Sequence, residues 1–296
     1  MTAQCTSFGR LSERSDGRPL APLSASGTGG GVGAPEMNMQ SDADPYDRLA
    51  RFYDLSMAGF DADVDLYEAF ARRTDAPALE LGSGTGRVAF ALADRGIDVS
   101  GIERSAAMLE IASHRAAAAD PPKPKLLLDD MRCPAVEGSF GLIFCAIDTF
   151  LHLQNTAEQL ATLTAARARL APNGRLILDV PGPAGDWSDW QPGARPLVLD
   201  WNRETEGQTV TRLSSFQADL SQQMRHVTDI YEDASADGGV RRHIVNYSLR
   251  CVFPAEMELL LERSGLVLDA RYGGYDLSTF DSASERMIVV AAKARH

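Results

Sequence analysis

The residue types most able to do chemistry gather in one short run, Glu80-Leu81-Gly82-Ser83-Gly84-Thr85-Gly86. It follows PALEL (77–81), which has the character of a strand, and precedes a helical pattern that begins at Arg87. Glycines at a strand-to-helix turn permit a tight bend and let a ligand approach the backbone closely. Glu103 ends the next strand-like segment, 21 positions after Gly82. A carboxylate there can accept both hydroxyls of a ribose. The pattern points to a nucleoside-bearing ligand.

Glycine spacing narrows the ligand. Dinucleotide sites want G-x-G-x-x-G, whereas here the third glycine, Gly86, comes one position early and Arg87 fills the later place. A nicotinamide cofactor is therefore disfavoured. S-adenosylmethionine (SAM) has no pyrophosphate and carries an ammonium, a carboxylate and a sulfonium, so its site needs backbone amides and a carboxylate near the cations. Glu80, two positions before the first glycine, can supply that charge.

A second group follows the apolar segment GLIFCAI (141–147), where Asp148 can orient an amine or hydroxyl and His152 can either act as a base near neutral pH or pack a helix. Cys145 lies inside that apolar run and is expected to pack in the core. His226 and His243 lack metal-ligand spacing, so no metal is expected.

The elements that must position these groups alternate regularly. Tyr46, Leu49, Phe52 and Tyr53 fall at helical spacing, and a second helix is expected over 64–72. Strands are expected at 77–81, 98–103, 125–129, 141–147 and 175–180. Helices are expected at 87–94 and 106–117, and a third starts at an Asn155/Glu158 capping box and stops before Pro172-Asn173-Gly174. Such alternation implies a mostly parallel sheet with helices on both faces. Between 195 and 253 the rhythm becomes β-rich, with four segments separated by turn residues, an inserted antiparallel meander. A helix from Pro254 to Gly265 and two strands, LVLDARY and RMIVVAA, close the chain.

Composition sets the outer bounds. The chain has 296 residues, 44% of them hydrophobic, enough for a substantial core. Its 41 acidic residues outnumber 29 Lys plus Arg, for a net charge of -12, which repels phosphate backbones and argues against nucleic acid as partner. Cys5, Cys133, Cys145 and Cys251 are far apart and read as unpaired thiols. No run approaches the roughly 18 apolar residues of a membrane span, and a cytoplasmic location without membrane contact is expected. Residues 1–41, rich in Gly and Ser, are expected to be a disordered tail, with Met37 or Met39 a candidate start; 42–296 would form the folded domain.

In order along the chain, ALELGSGTGR, DVSGIERSAAML, DDMR, FCAIDTFLHL and APNGRLILDV resemble the successive motifs of the class I SAM-dependent methyltransferases. The resemblance runs from about Tyr46 to Lys293 and is strongest to small-molecule methyltransferases with a β-rich insert after the fifth strand. It implies a Rossmann-like α/β fold with a seven-stranded sheet and SAM as cofactor. It puts the ribose on Glu103, the adenine on Arg104, Asp130 and Met131, and the methionine end on Glu80, Gly82, Gly84 and Tyr53. Ser83, Gly86, Met108 and Ile147 complete the implied cofactor contacts. Asp148 and His152 then face a small-molecule acceptor with an N or O nucleophile. The insert either covers that acceptor or makes a contact in a homo-oligomer, and Trp187, Trp190 and Trp201 beside it either line an acceptor pocket or serve structural packing. A SAM-binding sensor without catalysis and a nicotinamide oxidoreductase are the competing readings.

Overall fold

The structure is a computed structural model that describes residues 45–185, 193–205 and 207–294. The expected tail, and with it Cys5, Trp187 and Trp190, lies outside the described residues.

Two helices, α1 (Pro45–Ser56) and α2 (Val64–Ala71), precede the sheet. Then come β1 (Ala78–Leu81), α3 (Arg87–Asp94), β2 (Val99–Glu103), α4 (Ala106–Ala118), β3 (Lys125–Leu128), β4 (Phe140–Cys145), α5 (Thr156–Arg169) and β5 (Leu170–Pro181). The insert supplies β6 (Gly193–Ala194), β7 (Val198–Thr205), β8 (Gln208–Asp219), β9 (Met224–Ser235) and β10 (Val240–Arg250). Helix α6 (Pro254–Arg263) leads to β11 (Leu266–Tyr272) and β12 (Arg286–Lys293).

One seven-stranded sheet has the order β11-β12-β5-β4-β1-β2-β3. β1 to β5 are parallel, and the last strand of the chain enters antiparallel between β5 and β11. β1 and β4 have every residue buried, the signature of strands covered on both faces, and the two largest apolar clusters lie on either side of them. Winding goes outward from β1 to β3, then reverses to β4 and β5, so a crevice opens at the carboxyl ends between β1 and β4.

The caps explain where helices begin. Asn155 Oδ1 accepts from the Glu158 amide at 2.9 Å, and the Glu158 carboxylate accepts from the Gln154 amide at 2.9 Å, so the expected capping pair is formed. Ser105 caps α4 by accepting from the Met108 amide. Pro254 opens α6, and Gly265, with φ of +74°, ends it.

Two boundaries and one strand differ from expectation. β5 starts at Leu170, because Leu170 pairs with Phe140 across a register shift and the strand continues through Pro172-Asn173-Gly174. β4 ends at Cys145 instead of Ile147, since Ile147 and Asp148 have positive φ values that no strand can hold. The short β6 adds a strand to the meander, which forms a five-stranded antiparallel sheet with both β6 and β7 on β8.

The insert presents one face to α1. Alternate residues of β9, Val227, Asp229, Tyr231 and Asp233, are buried, and Tyr231 stacks on Phe52 of α1 with centroids 4.2 Å apart.

Candidate functional site

The glycine loop has the backbone its composition foretells. Gly82, Gly84 and Gly86 have φ of +71°, +56° and +80°, and Gly86 caps α3 in the left-handed conformation. A Cβ on Gly82 would overlap the Thr149 side chain, so the loop and the segment after β4 are in contact. A Cβ on Gly84 would stand 3.7 Å from the Tyr53 ring.

Glu103 reaches across the mouth of this loop. Its carboxylate accepts from the amides of Gly84 at 2.9 Å and of Arg104 and Ser105 at 2.8 Å each. Beneath the loop, Glu80 is buried and its Oε2 has no hydrogen-bond partner. Burial, against the pull of Arg87, pushes its carboxyl well above the ordinary range. A buried carboxyl with one unpartnered oxygen beside a turn of glycines fits a ligand that brings an ammonium.

One crevice connects these groups to the insert. Its lining includes Tyr53, Gly82, Gly84, Glu103, Arg104, Met108, Asp130, Met131, Ile147, Asp148 and His152, all singled out from sequence. Glu80, Ser83 and Gly86 stand behind that lining, with Glu80 and Ser83 buried. Asp130 is clasped by Arg132, which holds its carboxyl below the usual range. The Tyr53 phenol is pushed up to about 12 by burial.

Sequence reasoning missed the opposite wall. Arg212, Asp229, Tyr231, Tyr247 and Leu249 of the insert line the same crevice. Asp229 is fully buried and accepts from Arg212 Nη2 at 2.8 Å, Ser214 Oγ at 2.7 Å and Tyr247 Oη at 3.1 Å. Arg212 also meets Asp200 at 2.9 Å, so its charge is balanced by two carboxylates. A polar residue at an inward position of the β9 alternation was the available signal.

Helix α1 roofs the crevice with Tyr46, Leu49, Tyr53 and Ser56. Asp47 accepts from Ser105 Oγ at 2.6 Å, and Asp54 accepts from Thr85 Oγ1 at 2.6 Å and pairs with Arg115 at 2.8 Å. The Tyr46 ring meets His152 edge-on at 4.8 Å between centroids, and both rings lie about 6 Å from Tyr247. His152 sits on a 3-10 turn over Thr149–His152. Burial, then the Arg104 guanidinium, push its imidazole down to about 3, so the ring is neutral where sequence alone suggested titration near neutrality. Trp201 packs beside Tyr231 in the cluster under α1 and is not among the crevice-lining residues. Cys145 is fully buried and burial raises its thiol, in keeping with a packing role. No helix among the described residues is long and apolar enough to cross a membrane.

Comparison with known proteins agrees with this geometry. A family described as a methyltransferase domain matches residues 78–174. The chain is 28% identical over 239 residues to the dTDP-3-amino-3,6-dideoxy-alpha-D-glucopyranose N,N-dimethyltransferase of Streptomyces fradiae, covering 78% of this chain and 89% of that one. It is 28% identical over 265 residues to the cypemycin N-terminal methyltransferase of a Streptomyces species, covering 84% and 98%. The structure of the CcbJ methyltransferase from Streptomyces caelestis superposes with a TM-score of 0.74 at 29% identity, covering 86% of this chain and all of that one. The sheet order, the glycine loop facing a carboxylate at the end of β2, and these likenesses together identify a SAM-dependent methyltransferase that is similar to the class I enzymes.

Proposed function

We propose that this enzyme methylates an amine nitrogen of a small-molecule acceptor seated between the Tyr46–His152 pair and the insert wall. The observation that carries the reading is the continuity of one crevice from Gly82, Gly84 and Glu103 to Arg212, Asp229 and Tyr247. Donor and acceptor can share it without crossing solvent.

Bound SAM supplies a methyl carbon already activated by its sulfonium. The chain's own tasks are then binding, orientation and exclusion of water. Glu80 receives the ammonium, the amides of the glycine loop receive the carboxylate, and Glu103 receives the ribose hydroxyls. Arg104, Asp130, Met131 and Met108 frame the adenine, while Tyr53 and Ile147 close the sides. With SAM bound, these residues would hold the acceptor's lone pair in line with the methyl carbon, S-adenosylhomocysteine would be the leaving group, and the proton of the methylated amine would pass to solvent. Neutral His152 and the Tyr46 hydroxyl orient the amine; Asp148 bounds the transfer position.

Nitrogen is favoured over oxygen on two grounds. The two Streptomyces relatives are named for methylation of a sugar amine and of a peptide N-terminus. In this chain the imidazole is held as a very weak base, poorly suited to deprotonating a hydroxyl. The test is incubation with methyl-labelled SAM and a panel of amines, namely dTDP-3-amino-3,6-dideoxyglucose, a free aminoglycoside sugar and a peptide with an unblocked N-terminus, beside matched hydroxyl analogues. The expected result is label on an amine. Label on hydroxyl analogues alone would overturn the assignment to nitrogen.

A further inference from the structure

Three residues remote from the glycine loop converge on the segment that follows β4. Asp179, fully buried in β5, accepts from the Ile147 amide with its Oδ2 at 3.2 Å, and its main-chain oxygen accepts from the Asp148 amide at 2.9 Å. Arg286, the first residue of β12, donates to Asp179 Oδ1 through Nε at 2.8 Å and Nη2 at 2.5 Å, and its Nη2 also meets Asp148 Oδ1 at 2.8 Å. Tyr275, in the connection between β11 and β12, donates its hydroxyl to Asp179 Oδ2 at 2.8 Å.

The backbone these contacts hold is one the chain would not choose. Ile147 has φ of +31° and Asp148 +58°. Positive φ is costly for a β-branched residue and persists only where its surroundings over-determine it. Both residues line the crevice, and the next one, Thr149, lies against Gly82. The turn is therefore the stretch of wall between the cofactor loop and the Tyr46–His152 end.

We propose that Arg286, acting through Asp179 and Asp148, is a positioning residue for methyl transfer: it pins the Ile147–Asp148 turn and so sets the separation between bound donor and acceptor. Arg286 suits the task because a guanidinium can bridge two carboxylates in a fixed fork, which an ammonium cannot. The antiparallel entry of β12 beside β5 brings it there, at the partner position of Pro181. The proposal rests on the methyltransferase reading, since it concerns the rate of that reaction. A displacement near 1 Å in such a wall is expected to cost about a hundredfold in rate while leaving ground-state binding intact.

The experiment compares wild type with Arg286→Gln, Arg286→Lys and Tyr275→Phe, using methyl-labelled SAM and the amine of the panel turned over fastest. Affinity for S-adenosylhomocysteine is measured alongside by titration calorimetry. The expected result is a fall in kcat of about 10- to 100-fold for Arg286→Gln. Affinity for S-adenosylhomocysteine should change less than about threefold, and Arg286→Lys should recover part of the rate. Tyr275→Phe, which removes one hydroxyl and keeps the ring, loosens the same Asp179 anchor and should lower kcat by about fivefold, while Arg286→Lys decides the matter if Arg286→Gln does not fold. Unchanged kcat in the folded variants would overturn the proposal. So would a loss of kcat matched by an equal loss of affinity and of Tm, which marks a merely structural role. Wild type that binds S-adenosylhomocysteine but methylates none of the amines would strike the acceptor reading, and this proposal with it.

Discussion

The Tyr46 hydroxyl lies 2.9 Å from Nδ1 and 2.5 Å from Nε2 of His152, a contact between the first described helix and the turn after β4 that spans 106 positions of sequence. It ties the roof of the crevice to the segment that follows β4. The neutral imidazole can serve as donor or acceptor in this pair, according to its tautomer.

Tyr46→Phe removes that hydrogen bond and keeps the ring. A net contribution of about 1 kcal/mol predicts a rise in acceptor KM of about fivefold. The pH profile offers the sharper check. With its imidazole held at about 3, His152 stays neutral across the ordinary assay range, so the shape of kcat against pH between about pH 5 and 9 should be the same in wild type and His152→Asn. Loss of a limb near pH 6.5 in the variant would show that His152 titrates during turnover.

The same depression bears on stability, and its sign is opposite to that of a paired histidine. The unfolded chain binds the proton more readily than the folded one, so folding loses stability as pH falls from about 6.5 toward 3. His152→Asn should therefore flatten the acid limb of Tm against pH, measured by calorimetric scans over that window. An unchanged limb would mean that other groups govern acid unfolding.

Glu80 predicts a proton linkage to cofactor binding. Its carboxyl is raised by burial despite the pull of Arg87, and an arriving ammonium favours the ionised form. SAM binding should release protons, its affinity should rise with pH, and its heat should depend on the ionisation enthalpy of the buffer. Glu80→Gln should abolish the buffer dependence and weaken binding by about tenfold, the equivalent of one pKa unit. Heat independent of buffer in wild type would place the ammonium elsewhere.

Gly82→Ala combines two costs that can be separated. The residue has φ of +71°, and its new methyl would overlap Thr149. Destabilisation of about 2 to 3 kcal/mol is expected, with weaker SAM binding. Adding Thr149→Ser removes the overlapping methyl and should recover part of the stability but not the backbone cost. Gly84→Ala, whose Cβ would meet only ordinary contact with Tyr53, should show the backbone cost alone. Equal losses for the two alanine variants, seen in denaturant melts, would refute the steric part.

What the sequence made legible followed from local rules. The glycine loop could be read because positive φ and close approach demand glycine, and Glu103 because the position at the end of the second strand is fixed by the loop before it. The Asn155–Glu158 cap needed only residues three apart. The turn at Ile147 was read as strand, since its side chain is apolar and the force that bends it comes from Asp179 and Arg286, 32 and more positions away. The insert wall was hidden for a related reason. Periodicity marks Asp229 as inward-facing but says nothing of which cavity that face closes, and its partners Arg212, Ser214 and Tyr247 are 15 to 18 positions distant on neighbouring strands.

The most direct test of the central claim is a crystal structure of the protein with S-adenosylhomocysteine. The account predicts the ligand in the crevice between β1 and β4, with ribose hydroxyls on Glu103, the amino group toward Glu80, and the sulfur facing the turn between Ile147 and His152. A ligand bound elsewhere, or a crevice in which Glu103 keeps its amide partners and meets no ribose, would contradict it.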